Sequence, residues 1–342
     1  MAVQEQEFLI PRDIGPAPPP EQLAGRPLDA AMRADAAAKA VLLQQLDALT
    51  ANEAGARAGL DPEYLHDFRV AVRRTRTALG QIRDVFPQKA LERFRAGFAW
   101  LGVVTGPTRD LDVYLLHFPD YRARLPEAVQ EDLQPLHDFL KSHQKKEQAA
   151  LVKVLDSHRY RQLMQGWRAF LEADVPAKTS LTNAMRPVRE VAGEQIARVY
   201  RRVVKQGKAI TRTTPATDLH RLRKSCKKLR YLLEFFQPLY PPKKIKKLIK
   251  ALKLLQENLG AFQDLEVQGA ALRQFSQQMV DEGETPATTL IAMGMLVAGL
   301  GDQQQRVRKE FKTHFAAFRR ERNRRLFAEL FPPPAKAPST PE

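Results

Sequence analysis

Four basic side chains stand at helical spacing in the first half of the chain: His66, Arg69, Arg73 and Arg76, at i, i+3, i+7 and i+10. On an α-helix this spacing puts them on one narrow stripe. A second set, His220, Arg223, Lys227 and Arg230, repeats the pattern. The chemistry open to such a stripe is anion capture. The planar fork of arginine donates to two phosphate oxygens at once, and lysine supplies a mobile point charge. Histidine sits near its switching pH, where a phosphate neighbour favours the protonated form. Each like-charge contact along a helix costs roughly 0.2–0.5 kcal/mol, and acids that could relieve it are scarce. From Leu219 to Lys253 there are twelve Lys or Arg and one acid, Glu234. Arg74, Lys224 and Lys228 adjoin the stripes, and Lys243, Lys246, Lys247, Lys250 and Lys253 again follow helical spacing.

One basic helix face is usually just solvated surface. Duplication in register argues for more. Sliding the chain by 154 residues sets His66 on His220, Arg69 on Arg223, Arg73 on Lys227, Arg74 on Lys228 and Arg76 on Arg230. The same ungapped offset sets Pro87 on Pro241, Gly106 on Gly260, Asp110 on Asp264, Asp112 on Glu266 and Val113 on Val267. The chain therefore reads as two related halves, about 28–175 and 176–330. Related halves commonly pack about a pseudo-two-fold axis, which brings equivalent residues to a shared site. The halves are not equally basic: Arg93 stands opposite Lys247, but Ala96 stands opposite Lys250.

The elements that must position these residues are helical. Strong helix formers dominate, and Pro and Gly mark the expected breaks, among them Pro87, Gly106-Pro107, Pro187, Pro215, Pro241-Pro242, Gly260 and Pro286. Beside the first stripe, Phe68, Ala71, Val72, Thr75, Leu79, Ile82 and Phe86 share a core-facing arc; Leu222, Cys226, Leu229, Leu233 and Phe236 do so beside the second. A last helix is expected from Phe311 to Phe331. Residues 1–27 and 331–342 read as Pro-rich, irregular tails.

Composition narrows the function class. The net charge of +16 points to an anionic partner. A single cysteine, Cys226, allows no disulfide within the chain, as expected in a reducing, cytoplasmic setting. Met1 to Pro20 lacks the pattern of a signal peptide, and Leu290 to Leu300 is too short to span a bilayer. No Walker-type loop is present. The duplicated acids Asp110, Asp112, Asp264 and Glu266 leave open a metal-dependent enzyme that processes a phosphate polymer. The reading preferred here is non-catalytic, with no cofactor and no metal, because His66 and His220 head arginine stripes that repel a cation. Weak non-specific nucleic-acid binding follows from charge alone, although no nucleic-acid motif or exposed aromatic set is apparent.

The segments His66-Asp67-Phe68-Arg69-Val70-Ala71-Val72-Arg73-Arg74-Thr75-Arg76 and Leu219-His220-Arg221-Leu222-Arg223-Lys224-Ser225-Cys226-Lys227-Lys228-Leu229-Arg230 resemble the two signature helices of the CHAD family (conserved histidine α-helical domain). Gly106-Pro107-Thr108-Arg109-Asp110-Leu111 and Leu259-Gly260-Ala261-Phe262-Gln263-Asp264 resemble later pieces of the same pattern. The resemblance implies an all-α fold of two related helical bundles with pseudo-two-fold symmetry around a basic groove or channel. It also implies binding of inorganic polyphosphate and association with polyphosphate granules. By position, His66, Arg69, Arg73, Arg76, His220, Arg223, Lys227 and Arg230 are the implied phosphate contacts. Arg74, Lys224 and Lys228 are adjacent candidates, and Arg93, Lys247, Lys250 and Lys253 secondary ones. Asp110 and Asp264 are expected to orient basic side chains.

Overall fold

The computed structural model describes residues 28–283 and 285–332. The first half of the repeat folds as α1 (Ala34–Ala58), α2 (Pro62–Gln81), α3 (Gln88–Val104), α4 (Gly106–Leu116), α5 (Phe118–Ala123), α6 (Gln134–Leu155) and α7 (His158–Glu172). The second folds as α8 (Val188–Lys208), α9 (Ala216–Phe235), α10 (Pro242–Asp281), α11 (Ala287–Phe318) and α12 (Glu321–Leu330). Among the described residues there is no strand, only an isolated bridge between Arg33 and Pro187. The fold is all-α, as the sequence pattern predicts. The starts of α8, α9 and α10 each fall 154 residues after those of α1, α2 and α3, so the helix boundaries keep the repeat register.

The breaks have local causes. Pro62 opens α2 where its missing N–H costs nothing, and the Asp61 side chain accepts from the Glu63 N–H at 2.8 Å. One expected break is absent. The first half interrupts its helix at Thr105, between α3 and α4, whereas α10 runs unbroken through Gly260 for 40 residues. The difference is proline: Pro107 cannot donate and its ring crowds the preceding turn, while position 261 is Ala. The expected single tail helix is also two. The chain turns at Arg319-Arg320, which lays Phe327 on Tyr200 with ring centres 3.8 Å apart and brings Phe331 against Tyr240.

Two apolar clusters form the core. The larger joins α1, α2, α3 and α7 to α8, α9, the start of α10, the end of α11 and α12, with Trp167 fully buried among Phe94, Phe98 and Phe170. The smaller packs α4, α5 and the start of α6 against the far parts of α10 and α11, through Leu111, Leu133, Leu265 and Leu296. Each cluster draws on both halves of the chain. All the core-arc residues anticipated on α2 and α9 are buried. No helix among the described residues is long and apolar enough to cross a membrane. Residues 1–27, and the Pro-rich end beyond Pro332, lie outside the described residues; Phe331 is in the core.

The two stripe-bearing helices, α2 and α9, touch. Glu234, the lone acid of the basic stretch, is the clamp: Arg74 Nη1 lies 3.0 Å from its Oε2 and Arg230 Nε 3.2 Å from its Oε1. The Arg74 guanidinium also lies on the Tyr231 and Phe235 rings, 5.5 and 5.1 Å from their centres. Replacing Glu234 with Ala leaves two part-buried guanidiniums facing like charge. It should lower stability by about 1.5–3 kcal/mol, measured as a fall in the urea midpoint; an unchanged midpoint would show that apolar packing alone holds the crossing.

Candidate functional site

The stripes of α2 and α9 converge at two equivalent positions of the repeat, Arg73 and Lys227. Arg73 Nε donates to the buried Tyr231 hydroxyl at 2.8 Å; its outer nitrogens bond to no other group among the described residues, and its charge reaches Lys227. Burial, then the charges of Arg223 and Arg73, bring the Lys227 pKa down to about 8, with Asp264 opposing. Among the described residues no acid pairs with Lys227 and no hydrogen bond satisfies it. A half-buried ammonium without a partner is costly, and an anion would relieve it.

Neutral oxygens hold the next member. Arg69 Nη1 donates to the Gly102 carbonyl at 3.0 Å and to Thr105 Oγ1 at 2.7 Å; Thr105, fully buried, in turn donates to the Leu101 carbonyl. Burial lowers the Arg69 pKa, Asp110 opposes, and Arg73, Arg109 and Arg76 add to the effect. Two glycines stand beside these guanidiniums. A Cβ on Gly102 would stand 3.0 Å from Arg76 Nη1, and one on Gly106 3.7 Å from Arg69 Nη1. The close approach is at Gly102, where the missing side chain lets the Arg76 guanidinium lie against the helix backbone; the Gly106 distance is ordinary contact.

The histidines are oriented by a second repeated pair, in which each partner lies 43 residues further on. Arg109 Nη2 lies 3.0 Å from His66 Nδ1. A guanidinium only donates, so His66 Nδ1 accepts and Nε2 carries the proton. Arg109 also donates to the Pro62 carbonyl at 3.0 Å. At the equivalent position Gln263 Oε1 lies 2.5 Å from His220 Nδ1, while Gln263 Nε2 donates to Glu266 at 3.5 Å. That amide orientation makes His220 Nδ1 the donor. Neutral His66 can therefore donate to an anion through Nε2, whereas His220 must be protonated to do so. Burial and Arg109 hold the His66 pKa below its ordinary value, with Glu63 and Asp67 opposing. The free protein therefore favours neutral His66, and the protonated form expected beside a phosphate concerns the bound state.

The structure gathers His66, Arg69, Arg73, Arg76, Arg223, Lys227 and Arg230 into one electrostatically connected set, with His220 beside it on α9. Other candidates stand elsewhere. Arg74 is committed to Glu234. Lys228 lies near Arg202 of α8 and Lys224, and its pKa is lowered by burial and then by those two charges. Arg93 lies over Phe94 and beside Gly166 of α7. Lys247 and Lys250 are exposed on α10, and Lys253 lies 4.0 Å from Glu257. Of the duplicated acids, Asp264 accepts from Arg223 Nη2 at 3.3 Å and Asp112 from Gln144 at 2.9 Å. Among the described residues no three His, Cys, Asp or Glu gather as a metal-binding group. Arg109, Gln263, Thr105 and Tyr231 were not among the sequence-derived site residues, although the 154-residue offset already sets Arg109 on Gln263.

The sequence matches the CHAD domain family over residues 40–273. The chain belongs to the CHAD domain family. Its fold is similar to the crystal structure of the CHAD domain from the plant Ricinus communis, with a TM-score of 0.71 and 27% identity over 85% of this chain and 94% of that one. It is also similar in fold to PptA from Streptomyces chartreusis, with a TM-score of 0.65 and 16% identity over 83% of this chain and all of that one. No curated protein matches.

Two measurements on this CHAD domain probe the site geometry. In Gly102→Val the new side chain displaces Arg76. The Kd for long-chain polyphosphate should rise roughly tenfold, the equivalent of one charge-assisted hydrogen bond, with the helical circular dichroism retained; an unaltered Kd would mean that the close approach is unimportant. Between pH 7 and pH 9.5 affinity should fall, because unliganded Lys227 loses its proton as pH rises through about 8, and only the protonated form attracts an anion. Lys227→Arg should flatten that fall; the same decline in the variant would assign it to another group.

Proposed function

We propose that this CHAD domain binds inorganic polyphosphate along the joined stripes of α2 and α9 and does not chemically alter it. The observation that carries this reading is the junction of Arg73 and Lys227, where equivalent residues of the two halves bring like charges within reach of each other and, among the described residues, neither forms an ion pair with an acid. Only a polyanion answers a line of such charges. From His66 to Arg76 the helix rises roughly 15 Å, so the two stripes together present more cation than a short anion can engage.

In this reading His66, Arg69, Arg73, Arg76, Arg109, His220, Arg223, Lys227 and Arg230 contact phosphate, in a basic groove between halves related by an approximate two-fold axis. Lys247, Lys250 and Lys253 act as outlying charges that attract the polymer. Arg93 is left out because it faces α7, and Arg74 because an outer nitrogen of its guanidinium is hydrogen-bonded to Glu234; Arg230 approaches the same carboxylate through Nε and keeps its outer nitrogens for phosphate. Nucleic acid is a poorer fit, since none of the large apolar side chains exposed among the described residues is aromatic and base stacking needs such rings. An enzyme is also a poorer fit, since Asp112, Asp264 and Glu266 are engaged by Gln144, Arg223 and Gln263. Association with polyphosphate granules follows from the same reading.

Binding should weaken with salt. About six to eight engaged phosphates give a log–log slope of roughly −4 to −6, and a slope near zero would refute ion pairing along the stripes. Affinity should rise with chain length and then level off, since the second stripe engages at high effective concentration. Arg69→Glu with Arg73→Glu, or Arg223→Glu with Lys227→Glu, should each weaken long-chain binding strongly in protein that circular dichroism shows to be folded. Long-chain polyphosphate should outcompete single-stranded nucleic acid; the reverse order would favour a nucleic-acid binder. With Mg²⁺ or Mn²⁺ the polymer should keep its length on a gel, and shortening that Asp110→Asn or Asp264→Asn abolished would make the protein an enzyme.

A further inference from the structure

α8 carries a second group of arginines that the α2–α9 site does not use. Arg201, Arg202 and, from the turn after α2, Arg83 all stand within electrostatic reach of Arg198. Arg83, Arg198 and Arg201, with Asn183 and Glu194, line an open cleft of about 270 Å³ between α8 and that turn.

Neutral groups hold these guanidiniums in place. Asn183 donates its backbone N–H to the Asp84 carbonyl and its side-chain amide to the Arg83 carbonyl, both at 3.1 Å. This pins the turn, in which Asp84 takes a left-handed φ of 57°. Gln195 donates to the Gln81 carbonyl and accepts from Arg198 Nη2. Two carboxylates line the cleft. Glu194 is already engaged by Arg186, at 2.5 and 3.2 Å, so Asp84 alone faces four arginines. Burial, then Arg83, Arg202 and Arg201, push the Arg198 pKa below its ordinary value, with Asp84 opposing within a longer series of like charges.

Duplication does not explain this cluster. At the 154-residue offset, Arg198, Arg201 and Arg202 correspond to Gln44, Asp47 and Ala48, and Arg83 corresponds to Gln237. Three of the arginines come from α8 of the second half and Arg83 from the first, and none has a basic counterpart at that offset. They also continue outward: Arg202 neighbours Lys228, which neighbours Lys224, so a cationic surface leads from the cleft round α9 toward Arg223 and Lys227.

We propose that this cleft is a second phosphate site, which takes a short run of condensed phosphate as a free oligophosphate or as a segment of a longer polymer. A lone carboxylate would leave most of the charge unanswered. No aromatic ring lines the cleft, so a nucleobase has nothing to stack on. Several phosphate units in a row supply both the charge and the acceptor oxygens that arginine forks engage in pairs. The inference goes beyond the α2–α9 reading and does not depend on it.

The test is isothermal titration of the full chain with tripolyphosphate, using Arg83→Gln with Arg201→Gln. Neither side chain bonds to another described residue, so the fold should tolerate both changes. The variant should lose one bound equivalent, or bind it roughly tenfold or more weakly, and Arg69→Glu with Arg73→Glu should retain that equivalent. A parallel titration with long-chain polyphosphate separates the sources: a weaker Kd in Arg83→Gln with Arg201→Gln means that a polymer segment reaches the cleft, and a loss confined to tripolyphosphate means that the ligand is a free short chain. Wild-type protein that bound no tripolyphosphate, or a variant that bound both ligands with wild-type stoichiometry and affinity, would overturn the proposal. Failure of the α2–α9 reading would register separately, as unaltered long-chain binding in Arg69→Glu with Arg73→Glu.

Discussion

The packing of α2 against α9 is the constraint on which the rest depends. Two helices with cationic flanks meet, and their charges oppose the contact. Three features hold it. The apolar arcs behind the stripes are buried in one shared core. Glu234 accepts a hydrogen bond from Arg74 and forms an ion pair with Arg230. Tyr231 supplies a hydroxyl to Arg73 and an aromatic face to Arg74. A single acid thus serves a stretch of twelve cations, and it sits at the crossing, where unrelieved repulsion would part the helices.

Away from the crossing some cations are paired, as Arg223 is with Asp264, but others are positioned without being neutralised. Arg69 is held by a carbonyl and a threonine hydroxyl, and Arg198 by a glutamine amide. These partners fix geometry and leave the charge intact. Carboxylates in the same places would stabilise the fold more and attract an anion less. The depressed pKa values of Lys227 and Arg69 express that trade: folding concentrates charge that a ligand can discharge.

The repeat supplies a shared framework on which the halves have diverged. Helix starts, stripe positions and histidine partners keep one offset. Yet Arg109 in one half is Gln263 in the other, which gives two equivalent histidines opposite proton placements. The arginines beside Arg198, Arg201 and Arg202 of the second half and Arg83 of the first, have no basic counterpart in the other half.

The sequence by itself determined the helical class, the core arcs, the duplicated stripes and the family, because periodicity and an ungapped offset are properties of the chain alone. It also set Arg109 on Gln263, although hydrogen-bond direction at the histidines could not be read there: that depends on which atoms meet 43 residues apart. Gly260 looked like a break, and only the contrast between Pro107 and Ala261 explains why one helix stops and its counterpart runs on. Tertiary structure alone decided which cations act together. Arg73 and Lys227 meet because α2 lies on α9, Arg74 is spent on Glu234 because their helices cross there, and Arg83 joins α8 because Asn183 ties down its turn. Such contacts join residues up to 160 positions apart, and no local pattern in a sequence encodes them.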